Sequence, residues 1–120
     1  MDPNEVDEHA EAIDMIQSPH KVQLTIMCKE LADMDIGGKS DPYANVYIKG
    51  EKDKKWVKLG RTETKYERLE PNFDKIFEIN YLFERNQIIR VEVFDEDDDD
   101  KDDLIGNFDC PLNKLLIAHN

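Results

Sequence analysis

Carboxylates gather at two places in this chain. The first stretch reads Leu31-Ala-Asp33-Met-Asp35-Ile-Gly-Gly-Lys-Ser-Asp41-Pro42-Tyr43. The second reads Val93-Phe-Asp95-Glu-Asp97, runs on through Asp98, Asp99, Asp100, Lys101 and Asp102, and closes at Asp103-Leu-Ile-Gly106. Each lies where a strand ends. Brought to one rim of a β-sheet protein, the two would form an oxygen cage for a hard divalent cation. Calcium takes six to eight oxygens from carboxylates, carbonyls and water, and aspartate is the shortest carboxylate, suited to loops that approach closely. Asp95 and Asp97 stand two apart and project to the same side. Asp103 returns after the loop tip. Asp35 and Asp41 bracket Gly37 and Gly38, which allow a tight turn and exposed carbonyls. Five carboxylates converging without a cation would repel one another and loosen the loops.

The plainer reading of residues 95–103 alone is a solvated acidic loop, the usual meaning of a charge run. The second loop, with Asp41-Pro42 leading into a strand, shifts the balance towards a cation. An EF-hand is excluded: counted from Asp95, the sixth position is Asp100 where glycine is needed, and the twelfth is Gly106 where glutamate is needed. His9, His20 and His119 are too scattered for a zinc site.

The segments that must carry these loops are strands. Val22, Leu24 and Ile26 alternate with polar residues; residues 43–49, 55–66, 75–82, 87–94 and 104–110 follow with the same β-forming character and turn-rich connections. Six short strands and no readable internal helix predict an all-β, antiparallel β-sandwich. Residues 1–20 stand apart as an acidic N-terminal tail, either a disordered leader or a short helix ending at Ser18-Pro19. The domain proper is expected over residues 21–120.

Length and charge narrow the function. At 120 residues the chain holds one core. Its net charge of −12 is local: residues 1–20 hold six acids and no Lys or Arg, residues 95–103 hold eight acids and one lysine, and the rest is balanced at 14 acids against 15 bases. A nucleic-acid partner is therefore not expected. No apolar run reaches the roughly 18 residues that span a bilayer, and the acidic N-terminus is unlike a signal peptide. Cys28 and Cys110 lack metal-ligand spacing. They read as reduced thiols of a cytosolic protein, although spacing alone does not decide against a disulfide. No nucleophile–base pair or phosphate-cradling loop is readable, so no enzyme activity is expected.

Taken together, residues 21–117 resemble the C2 domain, a calcium- and phospholipid-binding β-sandwich module. Residues 35–43 look like its first calcium loop, and Leu69-Glu-Pro71-Asn-Phe73 through Phe77 like its turn-and-strand signature. Residues 93–106 look like its third calcium loop. Within the family, Trp56, Leu59-Gly-Arg-Thr-Glu63 and residues 82–93 are most similar to the first C2 domain of copines. The resemblance implies a Greek key of eight strands against six readable ones, so either the last strands are missing from the end, which the copine likeness favours, or residues 10–17 supply a strand before Lys21. It implies calcium as cofactor, held by Asp35, Asp41, Asp95, Asp97 and Asp103, with backbone oxygens of Met34 and Glu96 as further ligands. It implies an anionic, phosphatidylserine-like phospholipid membrane as partner, with Met34 and Ile36 entering the lipid, because the tip at residues 98–102 carries no side chain suited to it. Lys54, Lys55, Lys58 and Arg61 occupy the region where related domains read lipid headgroups, and Glu63 stands where a lysine is often found. The expected protein is a cytoplasmic, monomeric domain of a larger protein, recruited to membranes by calcium. The alternative is a calcium-independent protein-interaction module on the same fold.

Overall fold

The computed structural model describes residues 20–31, 40–82, 84–97 and 101–118, with side chains to residue 116. Residues 1–19 of the acidic tail, together with Met34, Asp35 and Ile36, lie outside the described residues, while His20, expected to end the tail, begins β1. Among the described residues there are six strands: β1 (His20–Leu24), β2 (Pro42–Gly50), β3 (Val57–Arg61), β4 (Phe77–Tyr81), β5 (Gln87–Asp95) and β6 (Asp103–Pro111). All pairings are antiparallel, as the alternation of apolar and polar residues predicts. One sheet runs β3-β2-β5-β6 and the other holds β1 and β4. Beyond Leu24 the chain stays beside residues 69–73, through hydrogen bonds from Cys28 N–H to Pro71 O, Leu31 N–H to Leu69 O and Phe73 N–H to Ile26 O.

β5 organises the core. Its residues alternate strictly, and the inward row is Gln87, Ile89, Val91, Val93 and Asp95. The three aliphatic members pack with Ala44 and Val46 of β2, Phe77 and Ile79 of β4, and Ile26, Phe73 and Leu112. The two polar ends of the row sit where the sandwich opens. Gln87 is satisfied by backbone, accepting Leu82 N–H at 2.9 Å and donating to Asn80 O at 2.9 Å. Asp95 is the other end, and only 1% of it is exposed.

The third strand departs from the sequence reading. Expected over residues 55–66, it is regular only to Arg61, because Thr62 changes the bonding. Thr62 donates its N–H to Ala44 O at 2.8 Å, while its hydroxyl accepts Ala44 N–H at 2.8 Å, taking the place of a backbone carbonyl. The chain still follows β2 to its start, with Lys65 N–H bonded to Pro42 O and Arg68 N–H to Ser40 O. The register also shifts between Val46 and Tyr47, a bulge that falls at Leu59-Gly60.

A second departure is helical. The sequence shows no readable internal helix, and the last strand is expected over residues 104–110. The chain instead ends β6 at Pro111 and enters α1 (Leu112–Ala118). Pro111 has no N–H for a further ladder bond. Leu112 is buried and Leu115 packs on the core, an i, i+3 spacing that fits a helical turn and not a strand. Cys28 and Cys110 are free thiols, and burial raises the pKa of Cys28.

Candidate functional site

The register of the larger sheet brings three of the expected carboxylates to one end. Pro42 pairs with Asp95, which places Asp41 beside it, and Asp95 pairs with Asp103 on its other side. Two bonds close the end of the β2–β5 ladder: Asp41 N–H donates to Asp95 Oδ1 at 2.8 Å, and Glu96 N–H donates to Asp41 O at 2.9 Å. Asp41 in turn accepts Glu67 N–H on Oδ1 at 2.7 Å. That bond reaches into a turn where Glu67 holds a positive φ of 55°, as Glu30 does at 53° on the neighbouring segment. Asp97 follows immediately in the exposed loop. Asp35 and Met34 lie outside the described residues, and among the described residues no three Asp, Glu, His or Cys side chains form a closed metal-binding group.

Glu96, expected to offer only its backbone oxygen, also has a side chain at the rim. Its Oε1 lies 3.8 Å from Arg61, and its Oε2 is buried without a hydrogen-bond partner among the described residues. Its charge raises the pKa of the neighbouring Tyr66 phenol.

Asp102 is placed differently from the sequence reading, which leaves it in solvent at the loop tip. Its Oδ1 accepts Asp97 N–H at 3.0 Å and its Oδ2 accepts the hydroxyl of Tyr43. Tyr43 is itself fixed: its ring stacks on Phe94 at 5.7 Å and 18°, and the Arg61 guanidinium lies 3.5 Å over it. Burial, then the bond to Asp102, pushes the Tyr43 pKa up to about 12, and the same bond leads in lowering that of Asp102. The sequence holds no signal for this pair, because the partners are 59 residues apart and meet only through the β2–β5–β6 register.

The four basic candidates do not form one cluster. Arg61 is at the acidic rim, engaged with Tyr43, Glu96 and Thr64. Lys58 is exposed in the middle of β3, opposite Tyr47. Lys54 and Lys55 are exposed in the β2–β3 turn, at the other end of β2. The length of that strand, at about 3.3 Å per residue, puts them roughly 25 Å from the rim. Trp56, beside them, is covered by Lys49 at 5.0 Å and Arg90 at 4.1 Å, and Arg90 is held by a two-pronged pair with Asp109 at 2.8 and 3.0 Å.

What the rim can do chemically follows from its donor set. Every candidate ligand is an oxygen, which suits calcium or magnesium and not zinc or copper. The almost wholly buried Asp95 carboxylate, beside Asp41 and Asp103 at adjoining strand ends, is the feature a cation would complete, so the residues present fit the ion.

Known proteins share this architecture. Copine-A of Dictyostelium discoideum is 40% identical over 98 residues, covering 80% of this chain and 16% of that protein. The chain spans 16–20% of the length of the curated relatives it matches. Among solved structures, BON1-C2B superposes with a TM-score of 0.69 at 22% identity, over 89% of this chain and 74% of that one. A calcium-bound pair of C2 domains from Extended-Synaptotagmin 2 superposes with a TM-score of 0.59 at 24% identity, over 85% of this chain and 37% of that one. These structural likenesses support the β-sandwich. The family model for the C2 domain matches residues 21–120. The chain therefore belongs to the C2 domain family.

Proposed function

We propose that this domain binds calcium between its two acidic loops and, through the ion, an anionic phospholipid surface. The observation that carries this reading is the juxtaposition of Asp41, Asp95 and Asp103 at adjoining strand ends, with Asp95 almost wholly buried. Asp41, Asp95, Asp97 and Asp103 would hold the ion together with Asp35 and the backbone oxygens of Met34 and Glu96. Calcium supplies positive charge to a rim that otherwise repels an anionic membrane, and offers coordination positions to lipid phosphate. The chain's own part is to hold the carboxylates at fixed strand ends, so that little reorganisation accompanies binding. Met34 and Ile36 would dip into the lipid. The acidic tip, residues 98–101 now that Asp102 is tied to Tyr43, would stay in water, because desolvating an unpaired carboxylate is costly. Lys54, Lys55 and Lys58 would meet headgroups only in a tilted pose, since they lie far from the rim.

Vesicle sedimentation tests the reading. Binding is expected to require both calcium and phosphatidylserine, to weaken steeply with salt, and to survive Ile36→Ala in weaker form. Binding unchanged by chelator would favour the calcium-independent protein-interaction module instead.

A further inference from the structure

We propose that Asp102, acting with Tyr43, is the positioning residue of the second acidic loop: it is withheld from the ion and fixes the loop before the ion arrives. This rests on the calcium reading above. One carboxylate bridges two elements, Oδ2 taking the Tyr43 hydroxyl from β2 and Oδ1 taking the Asp97 amide from the far side of its own loop. The loop neck is thereby closed twice, by the Asp95–Asp103 pairing of β5 with β6 and by the Asp102–Asp97 bond just beyond it. The anchor is rigid, because Tyr43 is 6% exposed, stacked on Phe94 and covered by the Arg61 guanidinium.

The arrangement answers a physical problem. Asp95, Asp97 and Asp103 repel one another without a cation, and a loop of consecutive acids would splay. Giving one of the acids two donors sets a tie against that repulsion, although its own charge remains. Each oxygen of Asp102 takes a protein donor, whereas the bonds described reach one oxygen of Asp41 and one of Asp95, and this separates Asp102 in role from the proposed ligands.

The test uses Tyr43→Phe, which removes the hydroxyl and no charge, and Asp102→Asn, with Asp99→Asn as the control for losing one charge from the same loop. Two readings are taken: hydrogen exchange of the Asp97 amide in chelator, and calcium affinity by calorimetry. Tyr43→Phe and Asp102→Asn should each speed Asp97 exchange and weaken calcium binding by about tenfold, the low end for a hydrogen bond to a charged group. The double variant should be little worse than the worse single one, since both remove the same tie. Asp99→Asn should leave exchange unchanged. Exchange unaltered in Tyr43→Phe and Asp102→Asn overturns the proposal whatever calcium does. A wild-type chain that binds no calcium, with exchange still accelerated in both variants, sinks the calcium reading and leaves the tie standing as a loop-fixing device. Unequal behaviour, with Asp102→Asn weakening calcium no more than Asp99→Asn while Tyr43→Phe binds as wild type, overturns the role in positioning ligands.

Discussion

Glu63 stands at a position where a lysine would extend the basic stripe of Lys54, Lys55 and Lys58, and its carboxylate is used inside the protein. It accepts Asp74 N–H at 2.6 Å and Lys75 N–H at 3.2 Å, with Lys65 at 3.5 Å, and so ties the end of the β3 segment to the approach to β4. Partial burial pushes its pKa up, but the backbone donors and Lys65 outweigh this, and the carboxyl titrates below its usual 4.5. A group with a depressed folded-state pKa stabilises fully above its unfolded value and loses that contribution as pH falls through the folded one. Glu63→Gln is therefore expected to lower stability at pH 7 by on the order of 1 kcal/mol, after allowance for solvent screening. Thermal melts across pH should show the gap between variant and wild type closing as the pH falls below that ordinary carboxylate value, and a gap that persists in acid would remove the ionised carboxylate as its cause. Single residues are legible in proportion to how locally they act. The alternation along β5 announces that Asp95 ends an inward row, whereas the roles of Glu63, Asp102 and Arg61 depend on partners brought by the fold from distant sequence.

At the scale of elements, β2 and β3 meet across a bulge that favours glycine. Gly60 has φ +157°, a region other residues rarely adopt, and a Cβ there would come within 3.2 Å of the Phe77 ring in the opposite sheet. Gly60→Ala should destabilise by about 1–3 kcal/mol, read as a lower denaturant midpoint at unchanged slope. A variant as stable as wild type would show that Phe77 and the backbone yield freely. The bulge is not legible in the sequence, since Leu59-Gly60-Arg61 fits a plain strand equally well. The six strands are legible, β1 and β5 from period-two alternation and the others from β-forming residues between turns, with β3 shorter than expected. The helix at residues 112–118 is not, because its apolar positions, 112 and 115 to 118, follow a strand directly and the run is only seven residues long. So short a run is marginal by itself and forms because Leu112 reaches the core.

For the whole molecule, the proposed ion site and the hydrophobic core share one row, with Asp95 at its end and Ile89, Val91 and Val93 in its middle. Binding to the folded state alone should raise the melting temperature, by an amount worth about 2.7 kcal/mol when calcium is 100 times its dissociation constant. Magnesium should do less, because it demands a regular octahedron and sheds water reluctantly. Coincident melting curves in calcium and in chelator would remove the site. The acidic rim is legible as a charge pattern, and the membership of Asp41, Asp95 and Asp103 in it as strand ends. Their seating is not, because it is set by the pairing of β2, β5 and β6. One consequence of the inward row reaches beyond targeting. If the ion props one end of the same strand that carries Ile89, Val91 and Val93, its concentration sets the population of opened chains on which proteases act. Calcium would then govern how long each copy survives as well as where it sits, and a resting cell would hold a pool that turns over faster than the pool on its membranes.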